Sequence, residues 1–592
     1  MRKITFAIAI AAVALFVAST ANAATWLEFN QADGNWVSGN FSNLPLGSYQ
    51  DYLVYGTATT RVPGDANNDH LEIRNGANAT ITSGTNARIN GWLNIGGEHV
   101  NLNGVSGGGS GTQSKIYKPA SSLTIQSGAS LTFTVGTSNN RFKVAERYDA
   151  TVNQYGNVDA NLTSMSIGGG YLSPVVNSQA DQTPYGPGYT FGDGQYNLVS
   201  GTLKVGSSFE IATQGSHSAM TQSGGRFEAK TKVQIGRNGG TGTFNMDGGT
   251  AKWTSTSSVI LGDGSLGASL NSAAYNGDTS GTITQTDGLI QLETTWLTIG
   301  KGGQYGKGTG LVSISGGSFA INSTGNNASI TIADSGANGL GTDGTLEVTG
   351  TGALTTNNFM QIGYVNSGAV LVKPTFNVGK DATVVLGRGI QTGNSTEASI
   401  KVGVEIASAT DYSQITACTL GGNINLGTVS AKELAISTGS FLPYCTQTYS
   451  IIAVTAADSD NTGNFDTLTS DVDVPFDYAL IDASGLVTTS AFRGGFASAR
   501  GNYDVVSNIT RLGDADCDGD VDSADQALVT SNWGQSGMTW FGGDFNNDGT
   551  VNDADQTVLD QNLGFVYIPE PATMTLLGLG GCLALIRRRS PK

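Results

Sequence analysis

Residues 233–250, "VQIGRNGGTGTFNMDGGT", contain the two sequence markers that decide the fold. The stretch begins with an apolar-x-apolar-Gly motif, "VQIG", and continues through the alternating run "TGTFNM" to the turn Asp247-Gly248-Gly249. Alternation with period two predicts strands with one buried face, and paired glycines supply the positive φ angles of tight turns. A unit of two or three such strands cannot bury its apolar face alone, so we expect the units to stack.

Both markers recur along the chain. Related turns occur at Ser223-Gly224-Gly225, Asp287-Gly288 and Ser315-Gly316-Gly317. From Phe209 onward the motifs begin 24, 26, 38, 33, 30 and 24 residues apart. The motifs are "LNIG" at Leu93, "MSIG" at Met165, "FEIA" at Phe209, "VQIG" at Val233, "VILG" at Val259, "LTIG" at Leu297, "ITIA" at Ile330, "MQIG" at Met360 and "VVLG" at Val384.

This repeat predicts a mainly β fold, a right-handed parallel β-helix or solenoid over residues 24–398. A β-sandwich array is the competing architecture, because strand alternation does not distinguish parallel from antiparallel pairing. Residues 399–510 contain fewer glycine pairs, and their alternating segments predict hairpin strands in a β-rich C-terminal cap. Together the two regions resemble the glycine-rich, autotransporter-passenger-like regions of bacterial surface proteins, which implies a β-helix closed by such a cap.

The cysteines suggest one disulfide. Cys418 and Cys445 both lie in the cap segment, and a bond between them would close a loop of about 27 residues and contribute roughly 3 kcal/mol in the chain-entropy model. Two buried free thiols are the alternative. Cys517 would remain unpaired, and Cys582 lies in the C-terminal tail.

Residues 511–566 contain two acidic loops that predict calcium binding. The first, "DADCDGDVDSAD", places six aspartates within twelve positions, with Gly519 sixth; the second, "DFNNDGTVNDAD", repeats the design thirty residues later, with Gly549 sixth. Oxygen ligands at positions one, three, five, seven, nine and twelve around a glycine turn are the pattern of a loop that binds one Ca²⁺. The predicted ligands of the two ions are Asp514, Asp516, Asp518, Asp520 through its carbonyl, Asp522 and Asp525, then Asp544, Asn546, Asp548, Thr550 through its carbonyl, Asn552 and Asp555.

Each loop leads into a short amphipathic segment, whereas the residues before it lack helical periodicity. A loop followed by a helix, repeated twice, resembles a type I dockerin domain. The resemblance implies a small α domain and a cohesin-like partner, although Ser523-Ala524 and Asp553-Ala554 differ from the selector pairs of cellulosomal dockerins. A solvated acidic linker is the alternative interpretation.

Both termini have the character of processing segments. Residues 1–23 combine Arg2 and Lys3 with an apolar run and Ala21-Asn22-Ala23, which predicts a signal peptide cleaved by signal peptidase; a membrane anchor is the alternative.

At the other end, residues 568–592 join Pro569-Glu570-Pro571 to an apolar stretch and a basic stop, Arg587-Arg588-Arg589. This segment resembles the PEP-CTERM sorting signal of bacterial exported proteins. The resemblance implies a transmembrane helix held transiently in the inner membrane, cleavage by an exosortase and delivery to the cell surface or an extracellular matrix. A plain tail anchor is the alternative.

Catalytic features are sparse. The formal charge of -17 and the absence of a basic patch argue against nucleic-acid binding. His70, His99 and His217 have no metal-ligand spacing, and "GGQYGKGTG" at residues 302–310 has Gly308 where a phosphate loop needs Ser or Thr. We therefore expect a non-catalytic, calcium-stabilised surface or matrix scaffold or adhesion protein. The alternative is a polysaccharide-binding or polysaccharide-degrading β-helix protein that carries a dockerin.

Overall fold

A computed structural model gives the fold of the chain. Residues 1–23 and 568–592, together with His99, Cys445, Cys517, Asn546 and Asp548, lie outside the described residues. The structure describes residues 26–29, 51–54, 59–61, 70–73, 78–81, 83–89, 92–96, 120–133, 141–146, 148–169, 192–213, 215–254, 258–264, 277–294, 296–303, 306–323, 329–335, 340–365, 371–393, 398–408, 410–427, 431–439, 447–456, 462–463, 465–470, 476–481, 502–507, 513–516, 518, 520–538, 540–545 and 549–566.

These residues form short strands, followed by two helices. The first strands are β1 Trp26–Phe29, β2 Asp51–Val54, β3 Thr59–Arg61, β4 His70–Ile73, β5 Asn78–Ile81, β6 Asn86–Ile89, β7 Trp92–Ile95, β8 Ser121–Ile125, β9 Ser130–Phe133, β10 Arg141–Val144, β11 Ala150–Gln154, β12 Asn157–Ala160, β13 Ser164–Ile167, β14 Gly194–Leu198, β15 Thr202–Val205, β16 Phe209–Thr213, β17 His217–Gln222, β18 Arg226–Ala229 and β19 Val233–Arg237. The remaining elements are β20 Thr241–Trp253, β21 Val259–Asp263, β22 Thr279–Thr294, β23 Leu297–Lys301, β24 Gly308–Ile314, β25 Ser318–Ser323, β26 Ile330–Asp334, β27 Thr342–Val348, β28 Ala353–Thr356, β29 Met360–Tyr364, β30 Val372–Val378, β31 Thr383–Leu386, β32 Ile390–Thr392, β33 Ser399–Glu405, β34 Ile415–Ala417, β35 Ala431–Ser437, β36 Gln447–Val454, β37 Thr467–Ser470, β38 Phe476–Ile481, β39 Asn502–Ser507, α1 Ser523–Ser531 and α2 Asp553–Asn562.

The strands stack into three parallel faces, and the chain visits the faces in the order B, C, A within each coil. Face A consists of β1, β4, β7, β10, β13, β16, β19, β21, β23, β26, β29 and β32. Face B consists of β2, β5, β8, β11, β14, β17, residues 241–246 of β20, residues 279–285 of β22, β24, β27, β30, β33, β35 and β37. Face C consists of β3, β6, β9, β12, β15, β18, residues 250–253 of β20, residues 289–294 of β22, β25, β28, β31, β34 and β36.

This pairing confirms the parallel β-solenoid. Strand partners are parallel and in register, as in Val233↔Val259 and Ile235↔Leu261 on face A. The inward side chains form one continuous core in which large rings meet edge to face, both within a coil and between neighbouring coils. Phe209 and Phe227 have ring centroids 4.8 Å apart, and Phe244 and Trp253 have centroids 5.3 Å apart. Each coil thus buries the face that it cannot bury alone.

The fourth position of the apolar-x-apolar-Gly motif ends the regular part of each face A strand. Gly236, Gly262 and Gly300 there have φ of 70°, 62° and 76°, in the left-handed region that favours glycine. Ala212 and Ala333 occupy equivalent positions at φ of 55° and 60°. The motif therefore marks a backbone conformation that turns the chain from face A toward face B.

One predicted motif is wrong. "VVLG" at Val384 belongs to β31, which pairs with β28 and β34 on face C. The next face A strand is β32, which begins at Ile390 and pairs with β29. The error arises because two apolar positions and a glycine also describe an ordinary face C strand, and Gly389, not Gly387, has the positive φ of 102°.

The segment predicted to form hairpins mostly continues the solenoid. β33, β34, β35 and β37 pair in parallel with strands of preceding coils. Among the described strands, antiparallel ladders occur where β39 joins β36 and β38. Alternation predicted the strands but not their direction, because both pairings use the same period of two. The antiparallel strands form the β-rich C-terminal end of the stack.

Candidate metal centre

The first acidic loop is organised around the side chain of Asp525, which is fully buried. Its Oδ1 accepts hydrogen bonds from the backbone N–H of Ala515 (2.6 Å) and Asp516 (3.2 Å), and its Oδ2 accepts one from Asp522 (2.8 Å). Asp522 is the N-cap of α1 and accepts from the N–H of Ala524 at 2.6 Å. The last carboxylate of the loop therefore folds the loop back onto its own beginning.

Three of the predicted ligands converge. Carboxylate oxygens of Asp514, Asp516 and Asp525 all lie within 4.8 Å of one another. Ligands that share one Ca²⁺ at 2.3–2.6 Å can be at most about 5 Å apart, so this set fits such an ion. Asp518, another predicted ligand, is not one of these three, and its Oδ1 accepts a hydrogen bond from the N–H of Asp520 at 3.1 Å. The loop pattern assigns the carbonyl of Asp520, rather than its side chain, to the metal.

Two carboxyl groups of the first loop, those of Asp516 and Asp520, have raised pKa values. The hydrogen bond with Asp518, followed by burial and the neighbouring charges, raises the pKa of Asp520 to about 6. Burial, together with the charges of Asp525 and Asp518, raises the pKa of Asp516. Repulsion between the carboxylates contributes to both shifts after these larger causes, and a bound cation would relieve that contribution.

The second loop repeats this arrangement. Asp555 is fully buried and accepts from the N–H of Phe545 (2.7 Å) and Asn552 (2.9 Å). Asn552 is the N-cap of α2 and accepts from Ala554 at 2.8 Å, and Asp544 Oδ2 accepts from Gly549 at 2.7 Å. Thr550, whose carbonyl was predicted as a ligand, is half-buried. The two loops thus share one local fold.

The two loop-helix units pack together as near-equivalent halves. Their core consists of three pairs of residues that are each thirty positions apart: Ala515 and Phe545, Val521 and Val551, Val529 and Leu559. The exchange of backbone bonds is also symmetrical. Val521 pairs with Gly564 and Phe565 after α2, whereas Val551 pairs with Gly534 and Gln535 after α1, at 2.8–3.2 Å. The valine in position eight of each loop was not singled out from the sequence, although its thirty-residue repetition is the signal that identifies it.

A second polar constellation lies on the outer side of face A. Arg237 Nη1 is 3.3 Å from Glu210 Oε1, and Gln234 Nε2 donates to Asp263 Oδ2 at 2.6 Å. Burial, followed by the charge of Arg237, lowers the pKa of the adjacent Lys232. In register, Arg237, Asp263, Lys301 and Asp334 alternate in sign across successive coils, so this ladder pairs opposite charges.

The remaining sequence candidates take structural positions. His217 is exposed with Nδ1 4.0 Å from Asp193, and His70 begins β4. Lys307 of the glycine-rich "GGQYGKGTG" forms an ion pair with Asp343 at 2.5 Å, directly before β24. Cys418 is buried, with Sγ 3.7 Å from the carbonyl of Arg388. Because Cys445 lies outside the described residues, the disulfide stays a prediction.

Within the described ranges, no helix combines the length and apolar character needed to span a membrane. No protein-family model matches the sequence, and no curated protein shows significant similarity to it.

Proposed function

We propose that this chain is an exported, non-catalytic scaffold or adhesion protein of the cell surface or extracellular matrix, stabilised by two calcium ions. The observation that carries the proposal is the pair of equivalent acidic loops behind a long parallel β-solenoid. The solenoid supplies an elongated, regular surface. The loop-helix module supplies a compact end piece that a partner, such as a cohesin-like module, could engage.

Calcium would be held by the same residues that fold the loops. Asp514, Asp516 and Asp525 would hold one ion, and Asp544 and Asp555 with their loop neighbours the other. Bound Ca²⁺ supplies positive charge and oxygen coordination. Asp525 and Asp555 also complete the capping boxes of α1 and α2 and order the loop backbones, so binding energy would become folding energy for the module.

Export and sorting are supported by the sequence of the two ends. Signal peptidase would remove residues 1–23, and an exosortase would cleave near Pro569-Glu570-Pro571 while the apolar segment and Arg587-Arg588-Arg589 hold the chain in the inner membrane. The mature protein would then reach the surface or matrix.

The calcium proposal is tested by isothermal titration of the full chain after treatment with EDTA. We expect two equivalents of Ca²⁺ in the wild type, and at least about tenfold weaker binding at one site in Asp525→Asn and in Asp555→Asn, because each loses a charged ligand. Asp553→Asn is the matched control, since Asp553 is exposed, two positions from Asp555 and no predicted ligand. Absence of binding heat, or equal weakening by Asp553→Asn and Asp555→Asn, would refute the proposal.

A further inference from the structure

The outward side chains of face B form an unusual lattice. On nine successive strands, from β8 to β30, two outward positions stand in register from coil to coil, and all are partly exposed. The first row is Ser122, Thr151, Gln195, Ala219, Thr243, Thr282, Leu311, Thr345 and Thr375, and the second row is Thr124, Asn153, Asn197, Thr221, Asn245, Thr284, Ser313, Glu347 and Asn377. Glu347 alone among them carries a charge.

The other two faces differ from this lattice, face C over the strands from β12 to β20. Face C presents Asp159, Lys204, Glu228 and Lys252 in register on consecutive strands. On face A the outward positions are covered; Gln234 and Thr298, for example, are at most 1% exposed. Between β8 and β24 the two rows of face B are therefore both uncharged and accessible, in a chain whose formal charge is -17. A further outward row of the same face carries Asp343 and Lys373 in register on β27 and β30.

The lattice is also ordered before any ligand arrives. Threonine has a stiff χ1, and parallel strands fix the spacing between rows of hydroxyls at about 4.8 Å. Asn197 Nδ2 donates to Asn153 Oδ1 at 2.8 Å, and Gln195 Nε2 donates to Asn197 Oδ1 at 2.8 Å, which orients the amides. Little side-chain entropy remains to be lost on binding.

A notch interrupts the first row at Ala219, where the side chain is shorter than those of Gln195 and Thr243 on the flanking strands. Its cavity volume is about 280 Å³, and its rim includes Asp193 and His217. Asp193 Oδ1 accepts from the His217 N–H at 2.7 Å. The notch offers hydrogen-bonding groups of defined direction in a space near the lower end of ligand-pocket sizes.

We propose that face B binds an uncharged polysaccharide, whose regularly spaced hydroxyls lie across the Thr/Asn lattice with one sugar unit seated in the notch at Ala219. The lattice has no cations to hold a phosphate, sulfate or uronate polymer, and it has too few apolar side chains for a hydrophobic protein partner. The choice of a polysaccharide as ligand rests on the proposed extracellular role. Binding on face B does not depend on the calcium proposal, because it requires no calcium.

The test measures depletion of the full chain by insoluble cellulose, insoluble chitin and an alginate gel, with and without EDTA. We expect saturable, EDTA-insensitive retention on at least one of the two neutral polymers and none on alginate. No retention on cellulose or chitin, or equal retention on alginate, overturns the proposal. Loss of retention in EDTA would also overturn it, whereas a missing calcium response in the titration above would affect only the calcium proposal.

Matched variants locate the surface. Thr243→Glu/Thr282→Glu adds two charges to face B on β20 and β22, and Thr250→Glu/Gln291→Glu adds the same charges on the same strands to face C. The face B pair should weaken retention at least about tenfold, because bound glycan would desolvate unpaired carboxylates, and the face C pair should leave it within about twofold. Equal losses in the two pairs would overturn the assignment.

A conservative pair covers the case in which charge disturbs folding. Thr243→Val/Thr282→Val keeps the branched shape and removes only the hydroxyls, so retention should fall while the β circular dichroism signal is unchanged. Retention equal to that of the wild type would show that the hydroxyl lattice is not the site. If the protein inhibits ice growth and is not retained on either glycan, the lattice would be an ice-binding surface, and the proposal would be overturned as well.

Discussion

Gly236 on β19 should not tolerate one added methyl group. Its φ is 70°, and a Cβ built on it would lie 1.8 Å from the carbonyl oxygen of Ser280 and 2.5 Å from the carbonyl carbon. Side-chain Cβ atoms essentially never approach other atoms within 3.0 Å, so the two backbone segments would have to separate by about 1.2 Å, from 1.8 to 3.0 Å. The obstacle is backbone, which cannot move aside as a flexible side chain can.

The cost of Gly236→Ala follows from three contributions. The left-handed conformation costs a non-glycine residue roughly 1–2 kcal/mol. Separation of the segments weakens the hydrogen bond from Ser280 N–H to the Gly240 carbonyl (3.1 Å), which is worth about 1 kcal/mol, and strains the neighbouring backbone. Lower entropy of the unfolded chain returns about 0.4–1 kcal/mol. These figures leave about 1–2.6 kcal/mol. Backbone strain, about 1 kcal/mol for a ~7° change in a bond angle, brings the expected net destabilisation to about 2–3 kcal/mol.

Substitutions at two other positions separate the cost of a positive φ from the cost of the steric clash. Gly215 has φ of 82° but nothing within 4 Å of a built Cβ, so Gly215→Ala should cost about 1 kcal/mol or less. Ala212 already holds a methyl group at φ of 55°. In Ala212→Gly the relief of backbone strain stabilises the fold, whereas the loss of a buried methyl group and the greater entropy of the unfolded chain destabilise it. We expect the free energy of unfolding to change by about 0–1 kcal/mol.

Hydrogen exchange measured by mass spectrometry on peptides covering β19 to β22 is the suitable assay, because a solenoid opens locally. A loss of 2–3 kcal/mol corresponds to exchange roughly 30- to 150-fold faster in Gly236→Ala. Exchange in Gly236→Ala no faster than in Gly215→Ala would refute the reasoning, since the collision would then contribute nothing.

Three further perturbations test other parts of the structure. Tyr196→Phe should cost about 1–3 kcal/mol in urea unfolding, because it removes the 2.5 Å hydrogen bond to Gln154 Oε1 and leaves that buried oxygen without its donor, whereas Tyr155→Phe at an exposed corner should cost almost nothing. By the same measurement Trp253→Phe should cost less than about 1.5 kcal/mol, because the buried indole N–H has no hydrogen-bond partner in the described part of the chain. Trp253→Ala should cost about 3–5 kcal/mol. Equal costs of the two substitutions would contradict this reasoning. Addition of EDTA to the full chain should reduce the helical circular dichroism of the loop-helix module and leave the β signal intact, and an unchanged spectrum would show that the module folds without metal.

The sequence predicted the strands of the solenoid well because their period and their glycines are local properties. Face A strands such as β19 and β23 lie where the apolar-x-apolar-Gly motif indicates. The assignment of a motif to a face is not local, because it depends on the number of corners since the previous coil. For this reason the pattern grouped "VVLG" with the motifs of face A, although it lies on face C. Parallel pairing of β33 to β35 escaped prediction for a similar reason.

The buried glutamines were also missed. Gln154, Gln222 and Gln285 occupy inward positions just before the corner between faces B and C, where alternation predicts an apolar residue. Each Nε2 donates to two backbone carbonyls, one in its own corner and one in the next coil, at 2.9–3.3 Å. A polar residue at a core position ahead of a glycine turn was a visible signal. Its partners are carbonyls of a coil about thirty to fifty residues away, which local patterns do not reveal.

The sequence could predict which acidic residues come together where one loop fixes their spacing, while calcium binding by them stays a prediction. Asp514, Asp516 and Asp525 converge as the twelve-residue pattern requires. The packing of one loop-helix unit against the other depends instead on Val521, Val551 and the residues that follow each helix. The ligand spacing within one loop therefore predicts where a cation could bind. The core that holds the two loops together can be predicted only by comparing the two repeats.

In-register stacking also explains the charge distribution of the solenoid. Equivalent positions on neighbouring coils lie about 4.8 Å apart. A charge of the same sign repeated on every coil would therefore cause repulsion between neighbouring coils and destabilise the stack. Faces A and C avoid this by alternating sign, as in the ladders Arg237, Asp263, Lys301 and Asp159, Lys204, Glu228. Because alternation satisfies the stack equally well, stacking alone does not require face B to be neutral. Face B uses the same device in a further outward row, where Asp343 and Lys373 are in register. The two Thr/Asn rows are nearly free of charge although stacking does not demand it, and the proposed uncharged ligand would account for this.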